Sequence, residues 1–341
     1  MNYSPPRRSD GTSQKRRIQL PWPADKPFRI LSIDGGGICG ILPASILAEV
    51  ERRFLGDASI ASHFDMIAGT STGGIIALSL GLGMTAAQAR DIYIDRGGII
   101  FPPASGVSAL IRRARRLGRY VYDSDVLEGE LRRVFADHVF GDSTIRLCIP
   151  SFEGLHGEPW LFKTPHHPDY KKDLHEKMVR VGLATSAAPT YFRAQNNGGY
   201  VMVDGGIWAN NPVMNAVADV LACYDIRREQ IQVLSLGCGE TTYSVSPKHA
   251  LGGMWQWRGV ISAAMKAQSH NALGQARLLL GNENVLRLDA PESANRIELD
   301  DYLRAKNELP NAARKLVEAA GKEIERTFLH STADRYARMV L

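Results

Sequence analysis

Short apolar runs alternate along the chain with breaks marked by glycine. PFRILSID, residues 27 to 34, ends in an acid followed by three glycines, the pattern of a buried strand running into a tight loop. A helix is predicted next, from about Ile41 to Phe54. FDMIAG (64 to 69) is a second buried strand, and the small-residue run GGIIALSLGLG after Ser71 predicts a helix packed closely on the sheet. Thr85 has the character of an N-cap for AAQARDIYIDRG. TIRLCIPSFE (144 to 153), EPWLFK (158 to 163), GYVMVD (199 to 204) and QIQVLSLG, ahead of Cys238, read as further strands. From about Trp255 the pattern changes to long helical segments, interrupted by one strand-like stretch, NVLRLD (284 to 289). Interleaved strands and helices predict an α/β fold with a mainly parallel sheet covered on both faces.

Composition narrows the picture. With 341 residues and 44% hydrophobic positions, the chain can build a sizeable core. No stretch approaches the roughly 20 uninterrupted apolar residues of a membrane span, and the N-terminal MNYSPPRRSDGTSQKRR lacks the apolar region of a signal peptide, so a cytoplasmic location is expected. Residues 1–26 are rich in Arg, Lys, Ser and Pro and read as a flexible basic tail. Cys39, Cys148, Cys223 and Cys238 show no CxxC spacing, which argues against a disulfide framework or a zinc site and for reduced, buried thiols. The net charge of +5 suits an anionic membrane surface or a nucleotide.

Three motifs carry candidate chemistry. Gly69-Thr70-Ser71-Thr72-Gly73 is a G-x-S-x-G sequence between a strand and a helix, where a sharp turn leaves the serine hydroxyl above the sheet. The bland alternative is a helix cap in a glycine-rich turn. Asp34-Gly35-Gly36-Gly37-Ile38-Cys39-Gly40 places amides freed by glycines before a helix, a cradle for a phosphate or an oxyanion. It formally matches a dinucleotide fingerprint, but the next strand leads into the serine turn rather than to the acid that fingerprint requires. Asp204-Gly205-Gly206 ends a strand, where the carboxylate can act as a serine's base or simply cap a turn.

DGGGxxG, GTSTG and DGG, in this order and each at a strand end, resemble the signature motifs of the patatin-like phospholipases, over roughly residues 28 to 240. The resemblance implies a three-layer α/β/α sandwich, a catalytic domain over 27–245 and a mainly helical C-terminal region over 246–341. It also implies a catalytic dyad of Ser71 and Asp204 that needs no cofactor. Gly36 and Gly37 amides would hold the oxyanion, with Gly35 shaping the loop and Gly40, Gly69, Gly73, Gly205 and Gly206 completing the motifs. One departure is Cys39, where the family usually carries Arg or Lys. A Ser-Asp-His triad with His270 is the rival within hydrolases, although KAQSHNALGQARLLL reads as a helix interior. A metal reading of His166 and His167 is disfavoured, because adjacent positions rarely face one ion and no carboxylate or cysteine spacing completes a site.

Five arginines, Arg112, Arg113, Arg115, Arg116 and Arg119, stand ahead of Tyr120 and Tyr122. They read as a solvated helix face, or as contacts to lipid or nucleotide phosphates with the tyrosines stacked on a base. LCIPSFEGLHGEPWLFKTPHHPDY, ATSAAPTYFR, GGIWANNP and LSLGCGE are similar to the phospholipase effectors of cyclic-oligonucleotide-based antiphage signalling systems (CBASS). That similarity implies activation by a cyclic dinucleotide such as cGAMP, made by a partner nucleotidyltransferase. It further implies a homo-oligomer on activation, phospholipid hydrolysis at the inner membrane, and no DNA or RNA partner. An ungated housekeeping lipase and a non-catalytic nucleotide-binding module are the alternatives.

Overall fold

The computed structural model describes residues 5–7, 17–56, 58–103, 120–239, 260–290 and 297–339. Leu20–Pro21 (β1) lies inside the stretch expected as a tail, yet it pairs in parallel with Tyr224–Asp225. Trp22 secures it, with its ring centroid 4.7 Å from that of Phe28 and 5.4 Å from that of Tyr224. The strand expected at 27–34 forms over Phe28–Ile33 (β2), and its side chains alternate between two buried clusters. Phe28 and Ile30 enter one, Leu31 and Ile33 the other. A helix follows over Ile41–Val50 (α1), and its last turn continues to Leu55 with the wider π pitch, where Glu51 turns inward to accept the Ile60 and Ala86 amides.

Met66–Gly69 (β3) leads through Ser71 into Thr72–Gly81 (α2), a helix buried on every side. Thr85 caps Ala86–Ile100 (α3) through a reciprocal pair of bonds with Gln88. Ser124–Phe135 (α4) precedes Arg146–Glu153 (β4) and its hairpin partner Glu158–Lys163 (β5). Met178–Ser186 (α5) is followed by Gln195–Asn197 (β6) and Tyr200–Asp204 (β7), then by a single helical turn at Gly206–Ala209. Val213–Cys223 (α6), Tyr224–Asp225 (β8), Ile231–Leu236 (β9), Val260–Leu280 (α7), Val285–Leu288 (β10) and Tyr302–Ile324 (α8) complete the order.

The main sheet runs β10-β9-β2-β3-β4-β7-β6, with β5 also on β4. Pairings from β10 through β4 are parallel, and those of β5, β6 and β7 are antiparallel. Helices α1, α2, α5 and α8 cover one face, while α6 and α7 cover the other, giving the expected three layers. On α8, Ala305, Leu309, Ala313 and Val317 recur every fourth residue and are buried, so the helix lays one apolar stripe along the core. The strand-like NVLRLD within the C-terminal region is β10, an edge strand of the same sheet.

Candidate active site

The parallel strands end on one side of the molecule, and the three motifs meet there. Ser71 turns the chain from β3 into α2 with φ 55° and ψ −120°, a conformation that costs a non-glycine residue about 1–3 kcal/mol and persists only where its surroundings enforce it. The enforcement is visible. Ser71 donates its amide to Thr185 Oγ1 at 2.9 Å, Thr70 Oγ1 donates to the Ala209 carbonyl at 2.6 Å, and Tyr93 OH donates to the Thr72 carbonyl at 2.9 Å. Gly69 and Gly73 are required by close approach, since a Cβ on Gly69 would overlap the Gly73 carbonyl and one on Gly73 would overlap that of Ile33.

Sheet register brings Asp204 to this turn. β4 pairs in parallel with β3 at Ala68 and Cys148, so the serine turn that follows Gly69 lies beside the continuation of β4 toward Ser151. β7 returns antiparallel along β4 with Asp204 opposite Ser151. The Asp204 carboxylate accepts the Gly206 amide at 2.7 Å and lines the same cavity as Ser71. Burial pushes its carboxyl up to about 6, against the opposing pull of the Gly206 amide and the Ser71 hydroxyl. Gly205 leaves room for the Pro150 carbonyl, which a Cβ would overlap.

The glycine loop leaves β2 beside this pair. Gly35 donates its amide to the Asn210 carbonyl at 3.0 Å, so it shapes the loop. The amides of Gly36 and Gly37 have no acceptor among the described residues. Gly37 has φ +55° and passes against Leu299, Gly36 passes against Cys238, and Gly40 passes against Thr72. Cys39 is buried, with Sγ 3.7 Å from the Ile297 carbonyl and 3.9 Å from that of Glu298.

Ser71, Asp204 and the three loop glycines open into one cavity of about 290 Å³, walled by apolar side chains including Ile75, Ile92, Phe101, Leu131 and Phe192. Two carboxylates beyond the dyad, Glu130 and Glu298, interrupt this wall. Glu130 on α4 accepts hydrogen bonds from Nε and Nη2 of Arg96 on α3, at 2.7 and 2.8 Å. Such a cavity suits an acyl chain whose carboxyl carbon sits at the serine.

Other candidates fall elsewhere. His270 lines a second, smaller cavity, with Cys238 and Arg287, that shares Gly35 and Gly36 with the first but includes neither Ser71 nor Asp204. The adjacent histidines diverge, His166 toward Asp219 at 2.8 Å and His167 toward the Ile18 carbonyl at 2.9 Å. A carboxylate and a thiol do complete a cluster around His166, namely Asp219 and Cys223 from α6, which lie far along the chain and escape a spacing argument. Lys163 occupies that carboxylate at 2.6 Å, and burial pushes the Cys223 thiol up to about 11, so the donor set favours an internal ion-pair network over a metal ion. The five arginines lie outside the described residues. Tyr122 is buried against Phe101, with ring centroids 5.1 Å apart, and donates to Asp300 at 2.6 Å, so it is packed behind the cavity wall and not available to stack on a base. Thr185, Asn210, Arg96, Glu130 and Arg287 are participants that the motifs do not flag. Of these, Thr185 and Asn210 lie in the stretches ATSAAPTYFR and GGIWANNP.

A serine on a strained strand-to-helix turn, in an α/β/α sandwich, defines the class of ester hydrolases with a nucleophile elbow. The patatin-like phospholipase family profile matches residues 31–217. A cGAMP-activated phospholipase of Escherichia coli (strain TW11681) is 33% identical, over 85% of this chain and 83% of its own. Enzymes given the same name from Vibrio cholerae and Pseudomonas aeruginosa are 32% and 34% identical, covering 84% and 77% of this chain and 83% and 78% of theirs. The chain belongs to the patatin-like phospholipase family and is an ester hydrolase. No helix among the described residues is long and apolar enough to cross a membrane.

Proposed function

We propose that this enzyme cleaves fatty-acyl esters of membrane phospholipids through a Ser71–Asp204 dyad. Ser71 Oγ attacks the acyl carbonyl as Asp204 takes the hydroxyl proton, and the oxyanion forms against the Gly36 and Gly37 amides. The intermediate collapses with release of the lysophospholipid, whose oxygen takes the proton back from Asp204. A water then attacks the acyl-serine while Asp204 accepts its proton, and Ser71 regains a proton as the free fatty acid leaves. The observation that carries this reading is that Ser71 on its strained turn and the buried Asp204 line one cavity with the glycine loop, and burial raises that carboxyl to about 6, ionised at neutral pH yet basic enough to take a proton.

A second layer of the proposal is regulation. Three relatives are named as cGAMP-activated phospholipases, and the net charge of +5 favours an anionic ligand and an anionic membrane face. In this reading a cyclic dinucleotide, made by a partner nucleotidyltransferase during phage infection, favours an active homo-oligomer by binding it more tightly than the resting state. The enzyme then degrades the inner membrane from the cytoplasmic side as an antiphage defence. Arg112 to Arg119 are candidate contacts to phosphate, because a run of guanidinium groups matches phosphate oxygens in forked, charge-assisted bonds. The test is hydrolysis of phospholipid vesicles alone and with each common cyclic dinucleotide. Cleavage that requires one nucleotide and disappears in Ser71→Ala supports both layers, whereas equal cleavage without nucleotide overturns the regulatory one.

A further inference from the structure

The amides of Gly36 and Gly37 can stabilise an oxyanion only if the loop is held still, and the residue holding its root comes from the far end of the chain. Asp34 is the first residue after β2. Arg287 on β10 meets it with both terminal nitrogens, Nη1 to Oδ1 at 3.1 Å and Nη2 to Oδ2 at 2.8 Å. The same guanidinium reaches Ser235 Oγ on β9 at 2.9 Å and Asp289 Oδ2 at 2.6 Å. Asp289 in turn accepts the Gly239 amide at 2.8 Å. One planar side chain therefore ties together the ends of three neighbouring strands beneath the loop. Asp34 also donates its amide to the Leu236 carbonyl at 3.0 Å, and its own carbonyl receives Cys238 Sγ at 3.3 Å. Backbone and side chain are thus both fixed two residues before Gly36. The pair is largely shielded from water, with side-chain exposures of 12% for Arg287 and 5% for Asp34. A forked, bidentate contact of this kind fixes direction as well as distance, which an ammonium cannot do.

We propose that Arg287 is a positioning residue for the oxyanion cradle, acting through Asp34. The inference rests on the reading of Gly36 and Gly37 as oxyanion donors. It makes the C-terminal part of the chain a contributor to catalysis without any of its groups touching substrate.

The test is a double-mutant cycle on the full chain, with Arg287→Gln, Asp34→Asn, the pair together, and Arg287→Lys as the conservative variant if Arg287→Gln does not fold. Each is assayed for kcat, KM and inhibition by a trifluoromethyl ketone lipid analogue, whose hemiketal oxyanion occupies the cradle. A displaced cradle lowers kcat by about 10- to 100-fold with KM changed little, and weakens the analogue by the same factor. The double variant is expected to be no worse than the poorer single one, since both remove one contact. Unchanged kcat in a folded variant, a fall in kcat with unchanged analogue affinity, or additive losses overturn the inference. Ser71→Ala separates this from the catalytic reading. If it retains ester cleavage the dyad is wrong, whatever Arg287 does.

Discussion

Thr185 Oγ1 accepts the amide of Ser71 at 2.9 Å and donates to the Pro150 carbonyl at 2.6 Å, so one buried hydroxyl links the serine turn to the strand beside Asp204. Thr185→Val keeps the shape and orphans both partners. It is expected to cost about 1–3 kcal/mol of stability and to lower kcat, while Thr185→Ser restores much of each. Urea unfolding and vesicle assays on the two variants check this.

Ser71 carries strain that serves its position. Ser71→Ala and Ser71→Gly both remove the nucleophile and abolish turnover, but glycine adopts φ 55° freely and alanine does not. The glycine variant is expected to be the more stable by about 1 kcal/mol, read as a higher urea midpoint.

Asp204 trades stability for basicity. Its folded-state carboxyl, raised by burial to about 6 from 3.8, binds a proton more tightly than the unfolded chain does. The native state therefore gains from this group below about pH 4 and loses that gain as pH rises through about 6, with a penalty on the order of 3 kcal/mol fully present at neutral pH. Asp204→Asn is expected to stabilise the fold at pH 7.5 relative to pH 4 while eliminating turnover. In the wild type, kcat is expected to rise with pH through an apparent value near 6 as the base ionises. Paired stability and rate profiles across pH 4 to 8 measure both.

Glu130, held by Arg96, is a charged interruption in the apolar wall on the side of α4. Glu130→Leu extends the apolar wall there and frees Arg96, which is 38% exposed, to solvent. Longer acyl chains are expected to gain in kcat/KM relative to shorter ones, as measured with a series of phospholipids of graded chain length.

Much of this site is legible in the sequence because its chemistry sits on local turns. The strand ends at Ile33, Gly69 and Asp204 are marked by apolar runs meeting glycine, and the structure places those turns together. What escapes is set by partners remote in the chain. Arg287 looks like an ordinary polar position in a short strand, and only the parallel pairing of β10 on β9 puts it under Asp34. Thr185 and Asn210 act through backbone groups that no spacing rule identifies. β6 is hidden for a different reason, because Gln195–Asn197 lacks apolar side chains. Its signal is the two-residue turn Gly198–Gly199, with φ of 60° and 95°, as a tight hairpin requires.

The most direct test of the Ser71–Asp204 mechanism is covalent labelling with a long-chain alkyl fluorophosphonate, read by intact mass and peptide mapping and repeated across pH. One adduct on Ser71, forming faster as pH rises through about 6 and strongly slowed in Asp204→Asn, is the predicted result. Equal labelling of Ser71→Ala, or a rate indifferent to Asp204, contradicts it.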